Sequence, residues 1–149
     1  MTTVSFLDRL RALYFWWRGK VDRHYGLMTA DPARFEAAIN NYSKAIDLNP
    51  RFSPAYLERG VLYSREFDEA EQGLRDFNQV LVLRPGLPEA LFCRALAYVD
   101  SGQYQAASDD LQAYLETGDR AWRNDASRQL GFINDLLDEL EHSSLPQEG

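Results

Sequence analysis

The residues of this chain whose types could do chemistry are few: the carboxylate pairs Asp109-Asp110 and Asp138-Glu139, a His24-Tyr25 pair close to Asp22, and one cysteine, Cys93. Two carboxylates work as general acid and base only when both reach one substrate. Consecutive helix residues diverge by about 100°, so neither pair can share a site, and both read as solvated faces. His24 has no legible cleft or catalytic partner and reads as an ordinary helix histidine. Cys93 cannot close an intrachain disulfide, and with two distant histidines, His24 and His142, it offers no metal-ligand spacing. It reads as a small core or groove-wall residue. No phosphate-cradling glycine loop, G-x-S-x-G elbow or H-E-x-x-H pair is present in the sequence. The expectation is a protein without catalytic residues, cofactor or metal.

What remains to be positioned is a surface. The chain has 149 residues, enough for one domain, and a net charge of −7 that is unevenly spread. Residues 1–25 hold Arg9, Arg11, Arg18, Lys20 and Arg23 against Asp8 and Asp22, a balance of +3 that leaves −10 for the rest. An acidic body argues against nucleic acid, whose binding rests on neutralising phosphates with Lys and Arg. The N-terminus lacks the uninterrupted apolar run of a secretory signal, and no run approaches the roughly 20 apolar residues that span a bilayer. The expected location is cytoplasmic. Inside the basic head lies "LYFWWRGK", Leu13 to Lys20, whose four consecutive aromatics must point all round a helix. No single core face can take Tyr14, Phe15, Trp16 and Trp17 together.

The chain also repeats. "FEAAINNYSKAIDLNP", Phe35 to Pro50, returns in degenerate form as "EAEQGLRDFNQVLVLRP", Glu69 to Pro85, and as "YQAASDDLQAYLETGD", Tyr104 to Asp119. The period is 35 residues from Pro50 to Pro85 and 34 from Pro85 to Asp119. Matching blocks "AYLERGVLY" and "ALFCRALAY" precede the last two copies. Helix ends are signposted by Asp31-Pro32 and Ser53-Pro54 as starts, by Asn49-Pro50 and Arg84-Pro85 as stops, and by Gly102 as a turn. In this pattern the chain resembles the tetratricopeptide repeat family, a helix–turn–helix of 34 residues with the pattern W-x2-L-G-x2-Y…A-x3-F…P. Tyr56, Arg59, Gly60, Tyr63, Gly73, Phe77 and Pro85 fill those places in the second unit, and Leu91, Arg94, Ala95, Tyr98, Ala107 and Leu111 in the third. In the first unit Ala38, Tyr42, Ala45 and Pro50 match, while only Tyr25-Gly26 echoes the L-G pair.

The resemblance implies an all-α, right-handed α-solenoid of three such repeats. Its organisation would be a basic aromatic helical extension over residues 1–19 and repeats at about 20–51, 52–86 and 87–119. A capping helix over 120–142, amphipathic through Trp122, Leu130, Ile133, Leu136, Leu137 and Leu140, and a flexible tail over 143–149 would complete it. It further implies a non-enzymatic module that binds a partner peptide or helix in a concave groove lined by first helices. Those positions are Leu57, Val61, Ser64 and Arg65 in the second unit and Glu89, Phe92, Leu96, Val99 and Asp100 in the third. Family members that clamp a C-terminal carboxylate do so with basic and amide side chains. Here the corresponding places are Arg23, Leu27, Glu58, Glu89 and Cys93, of which only the first is basic. An apolar or mixed peptide is the better fit. In the head, Phe6, Leu10, Leu13 and Trp17 form a stripe expected to pack on the first hairpin. Trp16, with Arg9, Lys20, Arg23 and Leu27, is expected to face outward toward a protein partner or a second copy in a homodimer; the plainer reading is that the chain folds back and buries it. The alternative is a peripheral scaffold held on an anionic membrane surface by the same helix.

Overall fold

The computed structural model describes residues 4–144. Seven helices carry these residues: α1 Phe6–Thr29, α2 Pro32–Leu48, α3 Ser53–Glu66, α4 Ala70–Leu83, α5 Pro88–Asp100, α6 Tyr104–Glu116 and α7 Arg123–Ser144. Among the described residues there is no strand, and the fold is all-α. The helices form two compact units that divide between Pro85 and Gly86. The expected tail begins inside α7, and its residues 145–149 lie outside the described residues.

In the first unit α1 packs on α2, α3 on α4, and α2 on α3. Ser5 caps α1 by accepting from the Asp8 amide at 3.0 Å, and Asp31 caps α2 by accepting from the Ala33 amide, with Pro32 in the first turn. Ser53 falls inside α3 rather than capping it, since Phe52 occupies the cap position without a side-chain bond. The interior of this unit includes the clusters of Ala12, Ala45, Ile46 and Ala55 and of Phe35, Ala38, Tyr42 and Leu62, together with the buried Leu57, Leu74, Phe77 and Val80. Trp16 packs against both clusters.

Which face of α1 points inward is decided by size. Ala12, Gly19 and Gly26 recur every seventh residue and are buried. A Cβ at Gly19 would stand 2.6 Å from the Tyr42 ring, and one at Gly26 2.8 Å from the Phe35 ring. Only the glycine face can meet α2 that closely, so the helix's large side chains are driven to the other sides. The stripe of Phe6, Leu10, Leu13 and Trp17 is therefore exposed, with Phe6 72% and Trp17 57% accessible. The expected cap contact is corrected: Trp16, expected outside, is half-buried, with its ring edge-on to Phe52 at 5.9 Å. Gly19 meets Tyr42 as Gly60 meets Phe77, so Arg18-Gly19, within "LYFWWRGK", is the structural counterpart of Arg59-Gly60. Tyr25-Gly26, the match made on spacing, lies two turns further on, in a hairpin longer than that of α3 and α4. α1 runs without a break through position 20.

In the second unit α5 packs on α6 and α6 on α7. Phe92 stacks on Trp122, with centroids 5.2 Å apart and planes within 4°, and both approach Tyr114. Asp119, at the place of the missing proline, accepts from the Tyr114 hydroxyl at 2.7 Å and from the Ala121 amide at 2.9 Å. The Tyr114 hydroxyl in turn accepts from the Trp122 amide at 2.8 Å. This small network seats Trp122 at the start of α7, whose Ala126 and Ile133 are fully buried.

Candidate protein-interaction surface

Four charged arrangements tie the first helices in place. Asp22 on α1, only 4% exposed, accepts from Arg34 at 3.2 Å and from Asn41 at 2.9 Å on α2. Glu58 on α3 accepts from Arg23 at 2.9 Å, and Lys20 stands 3.6 Å from its other oxygen while lying 5.0 Å over the Trp16 ring. Arg59 makes a two-pronged pair with Asp76 at 2.8 and 2.7 Å and donates to Ser43 at 2.9 Å. Arg94 pairs with Asp110 in the same way at 2.7 and 2.6 Å. Arg59 also lies over Tyr56 and Tyr63, and Arg94 over Tyr98. Burial pushes the Asp76 carboxyl above the usual carboxylate range even with Arg59 against it. The Asp110 hydrogen bonds hold the Arg94 guanidinium above its usual value. Burial likewise raises the Tyr42 hydroxyl, which has no hydrogen-bond partner.

These pairs were missed in the sequence, although a signal was there. Arg precedes the small residue at 59–60 and 94–95, and Asp precedes the large one at 76–77 and 110–111. Read as departures from the L of the family pattern, the arginines give no hint of their partners. Read together with the aspartates 17 and 16 residues on, they do.

Among the described residues, the outer side of α1 carries most of the large apolar side chains left exposed by folding. At about 100° per residue, Phe6, Leu10, Tyr14, Trp17, Val21, Tyr25 and Met28 fall within one arc directly opposite the buried glycines. All of them except Val21 are exposed. No charged side chain interrupts the arc. Arg11 and Arg18 border it on one side, Arg9 and Lys20 on the other. Near its middle, Trp16, Trp17, Lys20, Val21, His24 and Tyr25 line a shallow groove of about 430 Å³.

The groove positions expected from the repeat pattern divide between the units. On α1 and α3, Leu27 and Arg65 are exposed and Val61 is half-buried. On α5, Glu89 and Asp100 are exposed while Leu96 and Val99 are half-buried. Leu57 and Phe92 are corrected: at 9% and 6% exposure they are interior residues. Phe92 is buried because Trp122, from outside the repeats, stacks on it. Asp110 of the first carboxylate pair is buried against Arg94, while Asp109 is exposed; Asp138 and Glu139 are both exposed on α7. Among the described residues no three His, Cys, Asp or Glu side chains gather to hold a metal, and no helix is long and apolar enough to cross a membrane.

Comparison with known proteins agrees with this architecture. The first TPR of Spaghetti (RPAP3) bound to an HSP90 peptide superposes with a TM-score of 0.77 at 21% identity, covering 88% of this chain and 96% of that one. The Sgt2 TPR domain of Aspergillus fumigatus gives a TM-score of 0.74 at 17% identity, covering 93% and 86%. A tetratricopeptide repeat and J domain-containing co-chaperone of Cryptococcus neoformans is 31% identical over 83 residues, which is 56% of this chain but 16% of that protein. The curated relatives are thus much longer than the stretch they share with this chain, which spans 4% to 16% of their length. The TPR repeat family model matches residues 34–66, and a second model, tetratricopeptide repeat, matches residues 60–137. With more than half of its length matched by that second model and its helices paired as the repeat requires, the chain belongs to the tetratricopeptide repeat family.

Proposed function

We propose that the chain is a non-enzymatic protein-interaction module of the cytoplasm that takes an amphipathic partner segment on α1, the first helix of its first repeat. The repeats are read as α1 with α2, α3 with α4, and α5 with α6, with α7 as the cap and the first repeat beginning upstream of residue 20. The carrying observation is the apolar arc of α1, a helix-long surface that no contact within its unit covers. Exposed patches of this kind mark interaction sites. Lys20, Arg23, Leu27, Val61 and Arg65 are the further contact positions of this unit, and Glu89, Leu96, Val99 and Asp100 on α5 are those the second unit offers by itself. Trp16 contributes through the groove wall rather than as a free ring.

The partner chemistry differs from that of the HSP90 peptide SRMEEVD, which occupies the first Spaghetti domain. Glu58 already pairs with both Lys20 and Arg23, so a C-terminal carboxylate arriving there would have to compete with a half-buried acid for the same two cations. Labelled SRMEEVD and its C-terminal amide are expected to bind equally weakly in anisotropy titrations. Tight binding lost on amidation would overturn this reading. Immobilised wild-type chain is expected to retain proteins from cell extract that a Trp17→Glu chain does not. Identical retention by both would overturn the interaction role of α1.

A further inference from the structure

Resting on the reading of α1 as a docking helix, we propose that the segment it takes is α7 of a second copy of this chain. The two helices are opposites in charge and alike in build. α1 carries five basic and two acidic side chains, α7 two basic and five acidic. α1 has 24 residues and α7 22, or about 36 and 33 Å at 1.5 Å per residue. On α7, Ala126, Ile133 and Leu140 recur every seventh residue on the inward side, where Leu140 is still 50% exposed, while Phe132, 65% exposed, and the half-buried Leu136 one turn on form an apolar strip about 60–100° round the helix from it. Asp125, Asp135 and Glu139 border that strip, and Arg128 among them is engaged by Asp125.

Laid on each other, the strip of α7 meets the arc of α1, and its acids face the bordering arginines. Arg11 and Arg18 are available for this: their side chains are 68% and 52% exposed, and each has only a loose intrahelical contact, at 3.9 Å from Asp8 and 4.0 Å from Asp22. Pairing α1 with a second α1 would set these arginines and Arg9 against their own copies, with Asp8 as the one acid of the helix that is not buried. Complementary charge at the rim favours the α1–α7 pairing and selects against the like pairing. Because the two faces are different patches, each copy offers one donor and one acceptor surface.

The test is a complementation experiment on the full chain. Trp17→Glu and Phe132→Glu place a charge on each face at positions exposed in the fold, and circular dichroism verifies that both variants remain helical. In sedimentation velocity the wild-type mass is expected to rise with concentration and to fall back at high salt, while each variant alone stays monomeric. An equimolar mixture is expected to yield two-chain complexes, since Trp17→Glu retains α7 and Phe132→Glu retains α1. A wild type that is monomeric throughout overturns the proposal. So does a Phe132→Glu chain that still self-associates, which would assign the contact to α1 alone. Flotation of a monomeric wild type with phosphatidylserine vesicles, lost in Trp17→Glu, also overturns it and assigns the arc to a lipid surface. A monomeric wild type whose extract partners still depend on Trp17 sinks self-assembly while leaving the interaction module standing.

Discussion

At the scale of single residues, the buried Arg–Asp pairs put charge where the family pattern has an apolar contact. Arg59 fixes three helices, through Ser43 on α2, its own place on α3, and Asp76 on α4. Arg59→Ala leaves Asp76 buried without its cation and is expected to cost about 3–5 kcal/mol. The loss should depend on pH. A carboxyl whose folded pKa is raised contributes stability below its unfolded value, about 3.9, and loses it as pH rises through the folded value. Asp76 is already raised by burial, and removing Arg59 leaves that burial unopposed. The deficit of Arg59→Ala in urea unfolding is therefore expected to be smaller at about pH 4 than at about pH 7. A deficit that grows in acid would show that Asp76 is held ionised by something other than Arg59. These pairs also mark where the sequence was harder to read. The family resemblance implies a ligand face at Leu57 and Phe92, and Tyr56, Gly60, Leu91 and Ala95 already fill the core stripe that one helix offers. Nothing in the repeat pattern announces that Trp122 arrives from outside it to cover Phe92.

At the scale of elements, α1 shows what periodicity can and cannot decide. Helix starts and stops were legible: Asp31-Pro32 opens α2, Asn49 and Arg84 close α2 and α4, and Gly102 turns at φ +73° between α5 and α6. The stripe of Phe6, Leu10, Leu13 and Trp17 was equally legible, but a stripe does not say which way it points. Close helix packing selects the smallest face rather than the most hydrophobic one when glycines recur at one residue per two turns. That rule makes two glycines behave oppositely. Gly19→Ala gains about 0.8–1.0 kcal/mol of helix propensity but drives a Cβ into the Tyr42 ring. Overpacking of that kind costs about 1–3 kcal/mol, so a net loss of stability is expected. Gly131→Ala on α7 meets nothing within 4 Å and is expected to gain up to about 1 kcal/mol. Thermal or urea unfolding of the two variants checks both signs. A stabilised Gly19→Ala chain would show that α1 and α2 separate easily and that the glycine face does not set the register.

At the scale of the molecule, the division between Pro85 and Gly86 separates two sets of contacts, each with its own interior. The clusters around Ala12, Ala45 and Ala55 and around Phe35, Tyr42 and Leu62 belong to the first unit. Phe92, Tyr114 and Trp122 belong to the second. In repeat proteins stability is approximately a sum of local terms, so a lesion is felt first in the helices that share its core. Phe92→Ala removes a buried ring stacked on Trp122 and touching Tyr114, a change that costs about 3–5 kcal/mol in a close-packed interior. Native-state hydrogen exchange is the measurement that resolves where that loss falls. Protection is expected to drop across α5, α6 and α7 by the full amount while the slowest amides of α2, α3 and α4 keep their wild-type rates. An equal drop in both sets would show that the chain opens as one cooperative body. Unchanged protection in α7 would show that Trp122 keeps its seat through Tyr114 and Asp119 without the Phe92 ring.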